Sequence, residues 1–222
     1  MRVVPAILAN DLPSFTSLVR SAEGFSDYVQ IDIMDGLFVP SRSIDAAELS
    51  TVKTTVRSEA HLMVKNPEDW LEAAAMFGCE EILFHYEAVE DPAAVVKLLR
   101  ETDFRAGLAV NPETRVADII EIAGSVDSVM FMAVNPGFYG APFIPEVMDN
   151  VRELRRLKPS LDIGVDGGIK LSNAVLTRDA GADYVCVGSA IFKAEDPGQA
   201  YCQFKQSLNP HIIIPGAAGG CD

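Results

Sequence analysis

Eight short apolar runs, each rich in β-branched residues, recur along the 222-residue chain. They read VVPAIL, YVQIDIM, VRSEAHLM, EILFHYE, RAGLAV, SVMFMAV, LDIGVD and YVCVGS. Segments with helical spacing separate most of them, among them PEDWLEAAAMFG, DPAAVVKLLRE, TRVADIIEIAG and PEVMDNVRELRRLK. A strand that reaches its neighbour through a helix does so by a right-handed crossover, so the strands run parallel. Eight such units in this length predict a single (β/α)8 TIM barrel of the α/β class, with an open doubly wound sheet as the alternative. A weak internal echo supports closure. EGFSDYVQID, MFGCEEILFH, AGSVDSVMFM and DAGADYVCVG each pass from a helix end through small residues into a strand, at intervals of about two βα units. Residues 1–207 are expected to form the barrel and 208–222, with their Gly- and Pro-rich end, a C-terminal extension.

Composition narrows the partners. A net charge of −14 and a pI near 4.6 argue against nucleic acid or an anionic membrane, both of which select basic surfaces. Cys79, Cys186, Cys202 and Cys221 show no paired spacing, which points to a reduced chain. The N-terminal run is too short and too soon interrupted by an acid to be a signal peptide, and no apolar run is long enough for a membrane span. A soluble, cytoplasmic protein is expected.

In such a barrel, chemistry sits at the C-terminal ends of the strands. The stretch VQIDIMDG raises the question of why a buried strand carries polar residues. Alternation puts Gln30, Asp32 and Met34 on one face, and Asp32 stands at the strand's end, so this face should line the barrel mouth. EAHLMV places His61 at the end of the third strand and DIGVDGG places Asp166 at the end of the seventh. Two carboxylates and an imidazole there can converge on one divalent ion; oxygen and imidazole donors suit Zn²⁺, Mn²⁺ or Fe²⁺. The same carboxylates could instead exchange protons with a substrate between them. A single histidine in a strand also has an ordinary structural reading. Two inward acids are harder to dismiss, because an unpaired buried carboxylate is costly. Small-residue loops after the sixth, seventh and eighth strands (Gly137–Gly140, DGGIK and VGSAIF) suit a phosphate held by backbone N–H groups.

The segments DIMDGLFVP, HLMVKNPEDW, MAVNPGFYGAPFIPEV, VDGGI and GADYVCVGSAIF together resemble the ribulose-phosphate 3-epimerase family, in order and spacing, from about Pro5 to about Phe204. The resemblance implies an isomerase of carbohydrate metabolism, in the pentose phosphate pathway. It would invert C3 of a ketose phosphate, taking D-ribulose 5-phosphate to D-xylulose 5-phosphate by metal-assisted two-base proton transfer through an enediolate. It makes Asp32 and Asp166 the acid/base pair, and Asp32, His61 and Asp166 ligands of one divalent ion. Met34, Met63 and Met132 become an apolar floor. Gly137, Phe138, Tyr139, Gly140, Gly167, Gly168, Gly188 and Ser189, with His61, become the substrate and phosphate contacts. A homo-oligomer is expected, with a phosphorylated ketose as its partner molecule.

The chain also departs from the family pattern. Gln30 stands where the family has a metal-binding histidine, so the ion is expected to be held more weakly, with Gln30 offering at best an amide oxygen. Ala6 replaces a serine, Leu37 a histidine and Tyr139 a glycine. These changes keep two alternatives open: a repurposed, non-catalytic sugar-phosphate-binding barrel, or an epimerase for a hexulose 6-phosphate. His85, in FHYEA, is read as supporting the site from behind or as structural, and His211 as solvated.

Overall fold

The computed structural model describes residues 1–137 and 141–210. Its strands are β1 (Arg2–Ile7), β2 (Tyr28–Met34), β3 (Arg57–Met63), β4 (Cys79–His85), β5 (Arg105–Val110), β6 (Ser128–Met132), β7 (Asp162–Asp166) and β8 (Tyr184–Val187). All eight predicted runs are strands. Each pairs in parallel with the next, and β8 pairs with β1 through Val3–Val185 and Val4–Cys186, which closes the barrel and removes the open-sheet alternative. The outer ring is α1 (Leu12–Glu23), α2 (Ala46–Thr51), α3 (Leu71–Phe77), α4 (Pro92–Arg100), α5 (Val116–Ile119), α6 (Val147–Leu157), α7 (Leu171–Ala180), the short α8 (Ser189–Phe192) and α9 (Pro197–Leu208).

Helix starts follow from local chemistry. Asp11, Asp91 and Asp196 each cap a helix with a proline among its first two residues, their carboxylates accepting from the backbone N–H of Ser14, Ala94 and Gln199. In α6, Val147, Val151 and Leu154 share one stripe and bury it against the sheet. One predicted helix is broken: TRVADIIEIAG forms only the four residues of α5, then a 3₁₀ turn at Ile122–Gly124. Its β-branched residues propagate a helix poorly, and Val116, Ile119 and Ala123 are buried without a longer helix.

Strand alternation divides the interior into two regions. Outward residues such as Ile31, Ile33, Leu62, Phe84, Phe131 and Val165 pack under the helices and are fully buried. Inside the barrel, Val4, Leu83, Ala109 and Met130 fill the middle. Gln30, Asp32 and Met34 do point inward, as expected from alternation. Below, the Met1 ammonium donates to Oδ1 of Asn209, the residue just after α9, at 2.6 Å. The expected extension from residue 208 starts at the buried last residue of α9, and residues 211–222, His211 included, lie outside the described residues. Cys79 and Cys186 are buried free thiols. Among the described residues no helix is long and apolar enough to cross a membrane.

Candidate active site

Three strands deliver the polar centre. In the β2–β3 register Asp32 lies beside His61, and β7 brings Asp166 level with Met132 on β6. His61 is fully buried, and Asp32 and Asp166 are each 8% exposed. His61 Nδ1 lies 2.8 Å from Asp32 Oδ1 and 3.6 Å from Asp166 Oδ2. One ligand atom from each of the three falls within 4.8 Å of the others, a spacing one divalent ion can span. The residues therefore fit a metal with three protein donors and open positions. Burial, the adjacent Asp32 carboxylate and their mutual repulsion push Asp166 up to about 7, so at neutral pH the metal-free pair accommodates a proton on that side.

Gln30 is where the structure departs from the sequence expectation. It is fully buried beneath this centre, but its amide nitrogen faces the carboxylates. Nε2 donates to Asp32 Oδ1 at 2.8 Å and to Asp166 Oδ2 at 2.9 Å, while Oε1 accepts from Cys186 Sγ at 2.9 Å. Ionised carboxylates accept only, so the amide must present its two N–H groups to them. Gln30 here ties the two acids together and does not aim an oxygen between them. Cys186, which alternation with Tyr184 puts inside the barrel, was not anticipated from the sequence.

Above the centre opens a cavity of about 780 Å³. Met34, Met63 and Met132 line it, each at most 4% exposed, where an apolar floor was expected. Its far wall is built from Gly137, Gly167, Gly168, Gly188 and Ser189, the predicted phosphate loops. Phe138, Tyr139 and Gly140 fall outside the described residues. Gly167 has φ +107°, and a Cβ there would sit 2.5 Å from Val134 Cγ2, so only glycine lets this loop pass so close. Lys170 and Lys193 also line the cavity on this side, two cations the motif reading did not single out. Ala6 lines the wall, whereas Leu37 points away from it and is 70% exposed.

His85 stands directly behind His61. The two Nε2 atoms are 2.9 Å apart, and the rings stack with centroids 5.1 Å apart. Burial drives the His85 pKa down to about 4, so this ring is neutral. The Glu87 carboxylate follows, held by the Asn111 backbone N–H at 2.8 Å and by the Thr114 hydroxyl.

The sequence pattern of the Ribulose-phosphate 3 epimerase family matches residues 2–192. The ribulose-phosphate 3-epimerase of Candida glabrata is 31% identical, over 95% of this chain and 93% of that one. The cytoplasmic isoform of the same enzyme from Oryza sativa subsp. japonica is 34% identical, over 93% and 94%. Among solved structures, 3-hexulose-6-phosphate synthase from Salmonella typhimurium superposes with a TM-score of 0.69 at 16% identity, covering 96% of this chain and all of that one, a likeness of fold alone. The match over residues 2–192 and relatives more than 30% identical along nearly the whole chain place it in the ribulose-phosphate 3-epimerase family.

Proposed function

We propose that this isomerase inverts C3 of D-ribulose 5-phosphate to give D-xylulose 5-phosphate. The observation that carries the reading is the pair Asp32 and Asp166, brought from different strands to the floor of one cavity and joined through Gln30 and His61. A substrate lying across that floor would meet one carboxyl group on each face of its reacting carbon. One carboxylate takes the C3 proton. The other, protonated, returns a proton to the opposite face, which inverts the centre. The raised pKa of Asp166 supports this division, since one member must hold a proton while the other is a base.

Asp32, His61 and Asp166 would hold one divalent ion, Zn²⁺, Mn²⁺ or Fe²⁺, whose chemistry here is to polarise the carbonyl and stabilise negative charge. The protein's own contribution is orientation and dryness. The three methionines cover the reacting carbon with apolar surface and keep water from protonating a carbanionic intermediate. The backbone of Gly137, Gly167, Gly168 and Gly188 would hold the phosphate, with Lys170 and Lys193 adding positive potential at the rim. The rice relative's name makes a cytoplasmic setting the natural expectation, and the family's substrates are phosphorylated sugars, not polymers.

The test is deuterium exchange. The purified protein is incubated in D₂O with ribulose 5-phosphate and, separately, a hexulose 6-phosphate, with and without added Zn²⁺, Mn²⁺ or Fe²⁺. Deuterium at C3 with formation of the 3-epimer is the expected result, favouring the pentulose. Exchange only in the hexulose would reassign the substrate. No exchange in either, with saturating metal and measurable sugar-phosphate binding, would leave a binding barrel without catalysis.

A further inference from the structure

Three contacts run in line away from the carboxylate pair. Asp32 Oδ1 meets His61 Nδ1 at 2.8 Å, His61 Nε2 meets His85 Nε2 at 2.9 Å, and His85 Nδ1 faces Glu87 Oε2 at 3.4 Å. Each contact joins two acceptor atoms unless one of them carries a proton. With one hydrogen on each ring, two protons must serve three contacts. One contact is left short, and the geometry says which. His85 Nδ1 and Glu87 Oε2 are both buried with no hydrogen-bond partner, and so is Asn111 Oδ1, whose own backbone N–H is spent on Glu87 Oε1. Water cannot make up the difference at a ring with no exposed surface, closed over by Phe38 with centroids 4.8 Å apart. Leaving a buried donor or acceptor unmade is costly, so a fixed carboxylate aimed at an unpaired nitrogen calls for another arrangement of the same protons.

We propose that Glu87, acting through His85, sets the tautomer in which His61 presents a bare Nδ1 to a divalent cation. This rests on the reading of Asp32, His61 and Asp166 as the metal donors. A cation bound to Asp32 and His61 Nδ1 takes the place of the proton in the first contact. His61 then carries its hydrogen on Nε2 and donates to His85 Nε2. His85 carries its own on Nδ1 and donates to Glu87 Oε2. Each ring keeps a single proton, moved from one nitrogen to the other, so nothing is gained from or lost to solvent within the string. All three contacts are then complete, and the orphaned pair at the far end is satisfied. His85 and Glu87 are positioning residues in this account. A histidine ligand oriented by a carboxylate behind it is a general device at metal centres; here one further imidazole is inserted between them, with Phe38 packed against it.

The experiment uses the full chain with ¹⁵N-labelled histidine, whose three side chains give few resonances, recorded without metal and with Zn²⁺. Without metal, His61 should carry hydrogen on Nδ1 and His85 on Nε2. One equivalent of Zn²⁺ should reverse both tautomers together. If His61 shifts on Zn²⁺ binding while His85 keeps its hydrogen on Nε2, the relay is wrong although the metal site stands. If no His61 resonance responds to Zn²⁺, the metal-site reading fails and the relay with it. A Glu87→Gln variant supplies the second arm, because its amide can donate to His85 Nδ1 and so favour the opposite tautomer. Its Zn²⁺ affinity should fall roughly ten- to hundredfold, the range for losing such a supporting partner, with unchanged circular dichroism. An unchanged affinity in a folded variant overturns the proposal; should that variant fail to fold, the wild-type spectra decide.

Discussion

Replacing Gln30 with histidine tests whether the amide governs metal retention. In the structure the Gln30 amide donates to Asp32 and Asp166 at 2.8 and 2.9 Å, with its oxygen occupied by Cys186. An ion drawn to the same two carboxylates must displace or rearrange both hydrogen bonds. Hydrogen bonds to charged groups contribute about 1.5–3 kcal/mol each, so the smaller value for the pair is about 3 kcal/mol, close to a hundredfold in affinity. An imidazole at position 30 imposes less of this competition and can add a nitrogen donor. The wild-type protein should therefore purify with less than one equivalent of metal and be stimulated by added ion. Gln30→His should bind Zn²⁺ at least about a hundredfold more tightly. Competition against a chromogenic chelator at fixed pH measures this, alongside melting curves without metal, where the variant should melt lower because the carboxylates have lost their shared donor. Equal Zn²⁺ affinities for the two proteins would refute the reasoning, since the amide would then not be competing with the ion at all.

Asp32→Asn and Asp166→Asn each remove a proton carrier while keeping an oxygen, so turnover should fall by roughly 10²–10⁴-fold with sugar-phosphate binding retained; near-native turnover in either, with metal, sinks the two-base assignment. Gly188→Val would place its Cβ 3.2 Å from the Ala6 carbonyl oxygen and project a branched side chain into the phosphate wall; inorganic phosphate should bind more weakly with only a small drop in melting temperature, and unchanged binding removes this loop from the subsite. Glu59 is buried inside the barrel, and desolvation together with Glu81 raises its pKa well above the usual carboxylate range. A raised acid supports the fold fully below its unfolded pKa and loses that support as pH rises toward the folded value, because the unfolded chain gives up the proton first. Glu59→Gln should accordingly melt a few degrees higher at pH 8 and show a flatter pH dependence above pH 5; a lower melting point at pH 8 would refute this.

The strands were legible because parallel barrel strands are buried on both faces and read as β-branched runs, and all eight runs proved to be strands. Asp32, His61 and Asp166 were legible as polar residues at strand ends, where apolar ones would otherwise be expected. The orientation of Gln30 was not, because it depends on Asp166 and Cys186, 136 and 156 positions away and beside it only once the barrel closes. His85 shows the same limit. Its segment drew notice, but the nitrogen-to-nitrogen contact with His61 arises from the register of β3 against β4, where His61 pairs with Leu83 and His85 lies one inward step higher. α5 was misjudged for a local reason: helical spacing was present, but the β-branched residues that made it do not sustain a helix.

The barrel axis carries buried carboxylates at both ends, and what faces them separates structure from chemistry. At the lower end Glu81 takes the Ser128 hydroxyl and an Arg105 guanidinium at 3.3 Å. Glu59 takes the Tyr28 hydroxyl at 3.1 Å, with the charge of Arg2 opposing its desolvation. Those acids are met by fixed cations or driven neutral, so the lower end is electrostatically closed. At the upper end, among the described residues, Asp32 and Asp166 face the His61 ring at 2.8 and 3.6 Å and form no ion pair with a lysine or arginine. Their remaining support is neutral: two N–H groups of one amide, and the backbone of Gly167. An amide can align two carboxylates but cannot cancel their charge. Buried charge of one sign, unmatched by a fixed cation and open to a cavity, attracts a mobile one, either a proton or a metal ion. Both fit the two-base proton transfer proposed for this site. Gln30 satisfies the hydrogen-bonding geometry of the acids and leaves their negative potential in place.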